Sequence, residues 1–95
     1  MIIVHETFNC KPGSASKMAK MFKDAMVGRK EFVQVLTDVT GPYNKVIIVS
    51  QFENLGTYDK SWETADPAEM KKMQDAMKGY TDMYLTGSRE IYKVW

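Results

Sequence analysis

Glu6 and Trp62 are the side chains of this 95-residue chain with most to offer a chemical site. Glu6 stands in the apolar run Ile2-Ile3-Val4-His5-Glu6-Thr7-Phe8. A carboxylate buried there without a partner has a raised pKa and can serve as a general base or hold a polar ligand group. Paired with Arg89 on a neighbouring strand it is structural instead, since buried charges are usually paired. Trp62 either packs with Tyr58 and Leu55 in a core or stacks on a flat ligand. His5 is the one histidine, open to a hydrogen-bonded structural role or to general-base work. Of eight methionines, Met18, Met26, Met70, Met73 and Met77 recur at helical spacings. That spacing makes them core residues, and their polarizable thioethers would also suit the wall of a cavity for varied apolar ligands.

Other chemistries lack their residues. Cys10 is the one cysteine, unable to form an internal disulfide, and reads as a small buried packing residue. No Cys/His cluster has metal-ligand spacing, and neither a Gly-rich phosphate loop nor a Ser/His/Asp order stands out, so no metal and no cofactor is implied. Thirteen Lys and Arg against twelve Asp and Glu give a net charge of +1, which supplies no field for a nucleic acid. Lys71, Lys72 and Lys78 read as a solvated helix face diluted by Glu69 and Asp75. The longest wholly apolar runs, Met1–Val4 and Val46–Val49, are too short to span a bilayer. The first residues lack the basic segment and long apolar stretch of a signal peptide. A cytoplasmic protein without membrane or nucleic-acid partners is expected, folded as a single domain over residues 1–95. A chain this short buries only roughly 60–68% of its unfolded surface, so its stability is thin.

The elements that must position these residues follow from pattern. Residues 2–10 read as a strand ending at Lys11-Pro12-Gly13, with Ile2, Val4, Glu6, Phe8 and Cys10 on one face and Ile3, His5, Thr7 and Asn9 on the other. Ser14 or Ser16 can cap a helix whose apolar positions are Ala15, Met18, Ala19, Phe22, Ala25 and Met26, closed by Gly28. Phe32–Thr40 and Lys45–Glu53 read as strands joined by the hairpin loop Gly41-Pro42-Tyr43-Asn44. The unbroken Val46–Val49 run marks a central strand. Asn54 caps a short helix carrying Leu55, Tyr58 and Trp62. Asp66-Pro67-Ala68-Glu69 opens another, whose stripe Met70, Met73, Met77, Tyr80 and Tyr84 predicts a helix reaching Gly87, with Gly79 inside it at a cost of about 1 kcal/mol. Ser88–Trp95 is the last strand. The order β-α-β-β-α-β is the ferredoxin-like unit, an α+β fold with a four-stranded antiparallel sheet and its helices on one face. Ile3, Val46 and Val49 are expected to leave the other face partly apolar, which a twofold homodimer would cover.

In that order, three segments carry a resemblance to the dimeric α+β barrel superfamily, in particular its NIPSNAP-like and antibiotic-biosynthesis-monooxygenase-like members. They are Phe8-Asn9-Cys10-Lys11-Pro12-Gly13, the stretch from Gln51-Phe52-Glu53-Asn54-Leu55-Gly56-Thr57-Tyr58 to Trp62, and Gly87-Ser88-Arg89-Glu90-Ile91-Tyr92. The resemblance implies two sheets paired into a barrel and a pocket in each subunit between helices and sheet. It turns the Glu6 face toward the helices and the His5 face into the barrel. Some members are cofactor-free oxygenases of aromatic polyketides and others open the haem ring. Of the haem-branch pocket residues, Trp62 matches the Trp, whereas Glu6 replaces the Asn and Lys72 or Met73 the His, which argues against haem degradation. The resemblance thus favours a homodimer binding a small aromatic or apolar molecule between Phe8, Phe22, Tyr58, Trp62, Met73 and Met77. Glu6 is the candidate catalytic base for cofactor-independent oxygenation or isomerisation. The alternative is a non-catalytic dimerisation module whose pocket its own Met and Phe side chains fill. Pocket volume discriminates, since ligand sites usually exceed roughly 300 Å³.

Overall fold

Strand β1 (Ile2–Cys10) lies in the middle of the sheet, and the computed structural model, which describes residues 1–63 and 66–95, builds the rest around it. It pairs antiparallel with β3 (Lys45–Phe52) on one side and β4 (Tyr84–Lys93) on the other, and β2 (Phe32–Thr37) pairs antiparallel with β3. The strand order is therefore β2-β3-β1-β4, the ferredoxin-like arrangement. The apolar Val46–Val49 run sits in interior strand β3, as its composition demands.

Residues directly opposite one another in a sheet project to the same side. Glu6 stands opposite Ile48 and Arg89, Phe8 opposite Val46 and Gly87, and Val4 opposite Ser50 and Ile91. These residues form the helix-facing side. Val46 is 0% exposed there, against the reading that placed it on the open face. A one-residue step in register moves a side chain to the other face, and four consecutive apolar residues carry no signal of which step is correct. The open face instead carries Ile47 and Val49 from β3, Ile3 and His5 from β1, and Tyr92 from β4.

Helix α1 (Ala15–Met26) drives Met18 and Phe22 into the sheet, where they join Cys10, Val46 and Ile48 as the buried core. Ser14 occupies its N-cap, but only its carbonyl serves, accepting from Met18 N–H at 2.9 Å. Gly28, at φ +86°, turns the chain away just past the end. The Cys10 thiol donates to Met18 Sδ at 3.2 Å, and burial pushes its pKa up, so this cysteine is an inert packing group.

The hairpin is longer than its sequence suggested. Strand β2 stops at Thr37, and Val39 is 98% exposed. Asp38 leaves the strand because its carboxylate accepts from Tyr43 N–H at 2.7 Å and Lys45 N–H at 3.1 Å, fixing a loop in which Tyr43 and Asn44 take positive φ. Both later caps form as read. Asn54 Oδ1 accepts from Thr57 N–H at the start of α2 (Leu55–Glu63), and Asp66 Oδ1 from Ala68 N–H at the start of α3 (Pro67–Ala76).

Helix α3 does not reach Gly87. It ends at Ala76, Gly79 takes φ +87°, and a 3₁₀ turn (Tyr80–Asp82) leads into β4 four residues earlier than Ser88. Gly79 thus terminates the helix rather than weakening it, because the left-handed conformation is free to glycine. Gly87 is not a helix stop either. It lies in β4 opposite Phe8, where a Cβ would stand 3.4 Å from the phenyl ring. A side chain starting there would run along the face of that ring. None of the described helices is long and apolar enough to cross a membrane.

Candidate functional site

The layer between α1, α2, α3 and the sheet is not filled. A cavity of about 290 Å³ opens there, and all seven residues expected from the sequence, Glu6, Phe8, Phe22, Tyr58, Trp62, Met73 and Met77, line it. One end is aromatic and closed. Phe8 stacks on Phe22 with ring centroids 5.4 Å apart, and Tyr80 meets both edge-on at 6.5 and 5.7 Å. Met70, Met73 and Met77 supply a wall of flexible thioethers along α3 and just beyond its end.

The other end combines aromatic and charged groups. Phe52, Tyr58 and Trp62 form a ladder of edge contacts at 5.0 and 6.2 Å. Asn54 caps α2, and the helix places Tyr58 and Trp62 one turn apart, on one face. The Arg89 guanidinium lies 5.4 Å from the Trp62 ring centre and 5.9 Å from that of Tyr58. Arg89 Nη2 reaches Glu6 Oε1 at 3.3 Å, as the pairing of Glu6 with Arg89 across β1 and β4 requires. The Tyr58 hydroxyl is buried and makes no hydrogen bond among the described residues. An outer cleft of about 570 Å³ adjoins the cavity and shares Arg29, Glu31, Ser61 and Met73 with it.

Glu6 therefore faces the helices, as the resemblance implied, but it is not an isolated carboxylate. Its partner is Arg89, and the side chains are 29% and 46% exposed. Such pairs contribute about 0–1 kcal/mol. Glu6→Gln is expected to lower unfolding stability by no more than about 1 kcal/mol, read as a small shift in urea midpoint at unchanged slope. A loss of several kcal/mol would make the pair part of the core and remove it from the site.

Trp62 is 55% exposed, which places it at the rim rather than in a packed interior. His5 lies outside the cavity on the open sheet face, its ring 5.2 Å from Tyr92 in an edge contact. The sequence reading missed Ser50, Phe52 and Arg29 as wall residues. Phe52 and Ser50 share the Val4 face by register, a signal that appears only once β3 is aligned with β1.

No family model matches the sequence, and no curated protein matches it. Solved structures do match. A NIPSNAP domain protein from Burkholderia xenovorans aligns over 100% of this chain and 95% of its own at a TM-score of 0.79 and 15% identity. A NIPSNAP family protein from Agrobacterium tumefaciens covers 97% and 90% at 0.77 and 12%. An antibiotic biosynthesis monooxygenase-like protein from Nitrosomonas europaea covers 99% and 98% at 0.64 and 12%. The fold is that of the NIPSNAP and monooxygenase-like proteins. At these identities the NIPSNAP-type fold fixes the backbone path and leaves the site chemistry to this chain's own side chains.

Proposed function

We propose that the protein is a homodimer that binds a small aromatic or apolar molecule in the cavity of each subunit. The reaction that fits is cofactor-independent oxygenation or isomerisation. The observation that carries the reading is a void of about 290 Å³ walled by aromatic and methionine side chains, with the Glu6–Arg89 pair at one end. Close-packed interiors hold few voids larger than a water molecule, so a space of this size calls for an occupant. In an enzyme, Glu6 would take a proton from an activated C–H or O–H of the ligand, leaving an anion that rearranges or reacts with dioxygen, while Trp62 holds the ring. At about 290 Å³ the void stands at the lower bound of roughly 300 Å³ for a ligand site, so the rival reading, a dimerisation module with a filled pocket, is weighed against it by the binding test below.

Tryptophan emission tests binding, because Trp62 and Trp95 are the only indoles and Trp95 is fully exposed beyond the last strand. Flat aromatic acids, quinones and polycycles are titrated into the protein. A saturable change should survive Trp95→Phe and vanish in Trp62→Phe. No saturable signal from any compound would remove the binding reading and make the cavity a packing void.

The dimer is supported by the open sheet face, where the part-exposed Ile3 and Ile47 and the exposed Tyr92 have none of the described helices above them. Multi-angle light scattering at micromolar concentration should report about twice 10.9 kDa, and Ile47→Arg should return the mass to that of one chain. A monomer at all concentrations would remove the barrel.

A further inference from the structure

We infer that Arg89 is an anion receptor inside the cavity, so that the preferred ligand is an aromatic acid or enolate whose charged oxygen displaces Glu6. The inference rests on the binding reading above and narrows its ligand class. Arg89 has a planar fork of five donors, yet among the described residues its one ion-pair contact is a single 3.3 Å approach to Glu6. That pair is open to water on both sides, so it is weak and exchangeable. The rings of Trp62 and Tyr58 hold the guanidinium in place at 5.4 and 5.9 Å, favouring the cation whichever anion it meets. A ligand carboxylate or enolate oxygen at the cavity end supplies an anion to the fork. Phe8, Phe22, Phe52, Met70, Met73 and Met77 give the cavity apolar walls that suit the attached ring, alongside the polar Ser50, Ser61, Arg29 and Glu31. Displacement also frees the Glu6 carboxylate beside the bound molecule, where a base would have to stand.

Matched probes test this on the intact chain: 2-naphthoate and its uncharged amide, titrated by calorimetry. The acid should bind about tenfold or more tightly than the amide, the scale of a charge-assisted contact. Arg89→Gln should abolish that preference while leaving the amide's affinity within about twofold, and Arg89→Lys should keep part of it if the Gln variant folds poorly. Glu6→Gln, which removes the competing carboxylate, should tighten the acid severalfold. Binding of the amide without preference for the acid overturns the inference and leaves the pocket reading standing. A preference that survives both Arg89 variants undiminished places the anion on another group and overturns it as well. If neither probe binds, both readings fall.

Discussion

Phe22→Ala is expected to cost about 3–5 kcal/mol, the range for truncating a buried phenylalanine. Phe22 is 3% exposed and stands at the centre of the core, stacked on Phe8, edge-on to Tyr80 and beside Met18 on α1. Removing its ring takes one aromatic partner from Phe8 and one from Tyr80, and joins the vacated space to the existing cavity. The neighbours cannot collapse into it, because Val46 and Ile48 below are fixed in the interior strand. For a domain of this length the whole stability is about 5–14 kcal/mol, so this one change removes a large part of it. The melting temperature should fall by about 12–40 °C at fixed protein concentration, given about 4–8 °C per kcal/mol at this size. A drop of less than about 5 °C would mean that the interior repacks freely and that the cavity has no fixed shape.

Ser50→Phe should do the reverse, abolishing ligand binding while leaving the fold as stable as before or more so. Ser50 lies in interior strand β3 opposite Val4 and Phe32, on the cavity side of the sheet. A phenyl ring there projects into the void and meets a wall of Phe32, Phe52 and methionines, gaining dispersion contacts that empty space denies. Phenylalanine also suits a strand better than serine. Thermal unfolding should be unchanged or shifted upward, and saturable quenching of Trp62 by flat aromatic compounds should disappear. A large loss of stability would show the space to be smaller than the cavity described. Undiminished binding with intact stability would put the ligand elsewhere, with the outer cleft beside Arg29 and Glu31 the place to look.

The sequence alone determined the parts of this protein that depend on local chemistry and on period. The alternation of β1, the three- and four-residue spacing of Met18, Phe22 and their neighbours, and the caps Asn54 and Asp66 define elements whose order admits the ferredoxin-like sheet. The same periodicities, with the resemblance, nominated the seven side chains that line the cavity. Two features escaped, and a third was left as one of two readings, because each depends on residues far apart in the chain. Val46 and Val49 are equally apolar, and only the pairing of Phe8 with Val46 sends the first inward and the second outward. Gly79 and Gly87 are both glycines within or at the end of a helical pattern. One ends α3 through a positive φ, whereas the other is a strand residue opposite Phe8. Glu6 has the same alternation whether paired or isolated, and it is the register of β1 against β4 that sets it opposite Arg89. Local pattern chooses which side chains point the same way along one element. Which of them meet, and what space they leave, is decided only when strands are aligned and helices laid over them, since contact and cavity belong to packing between elements.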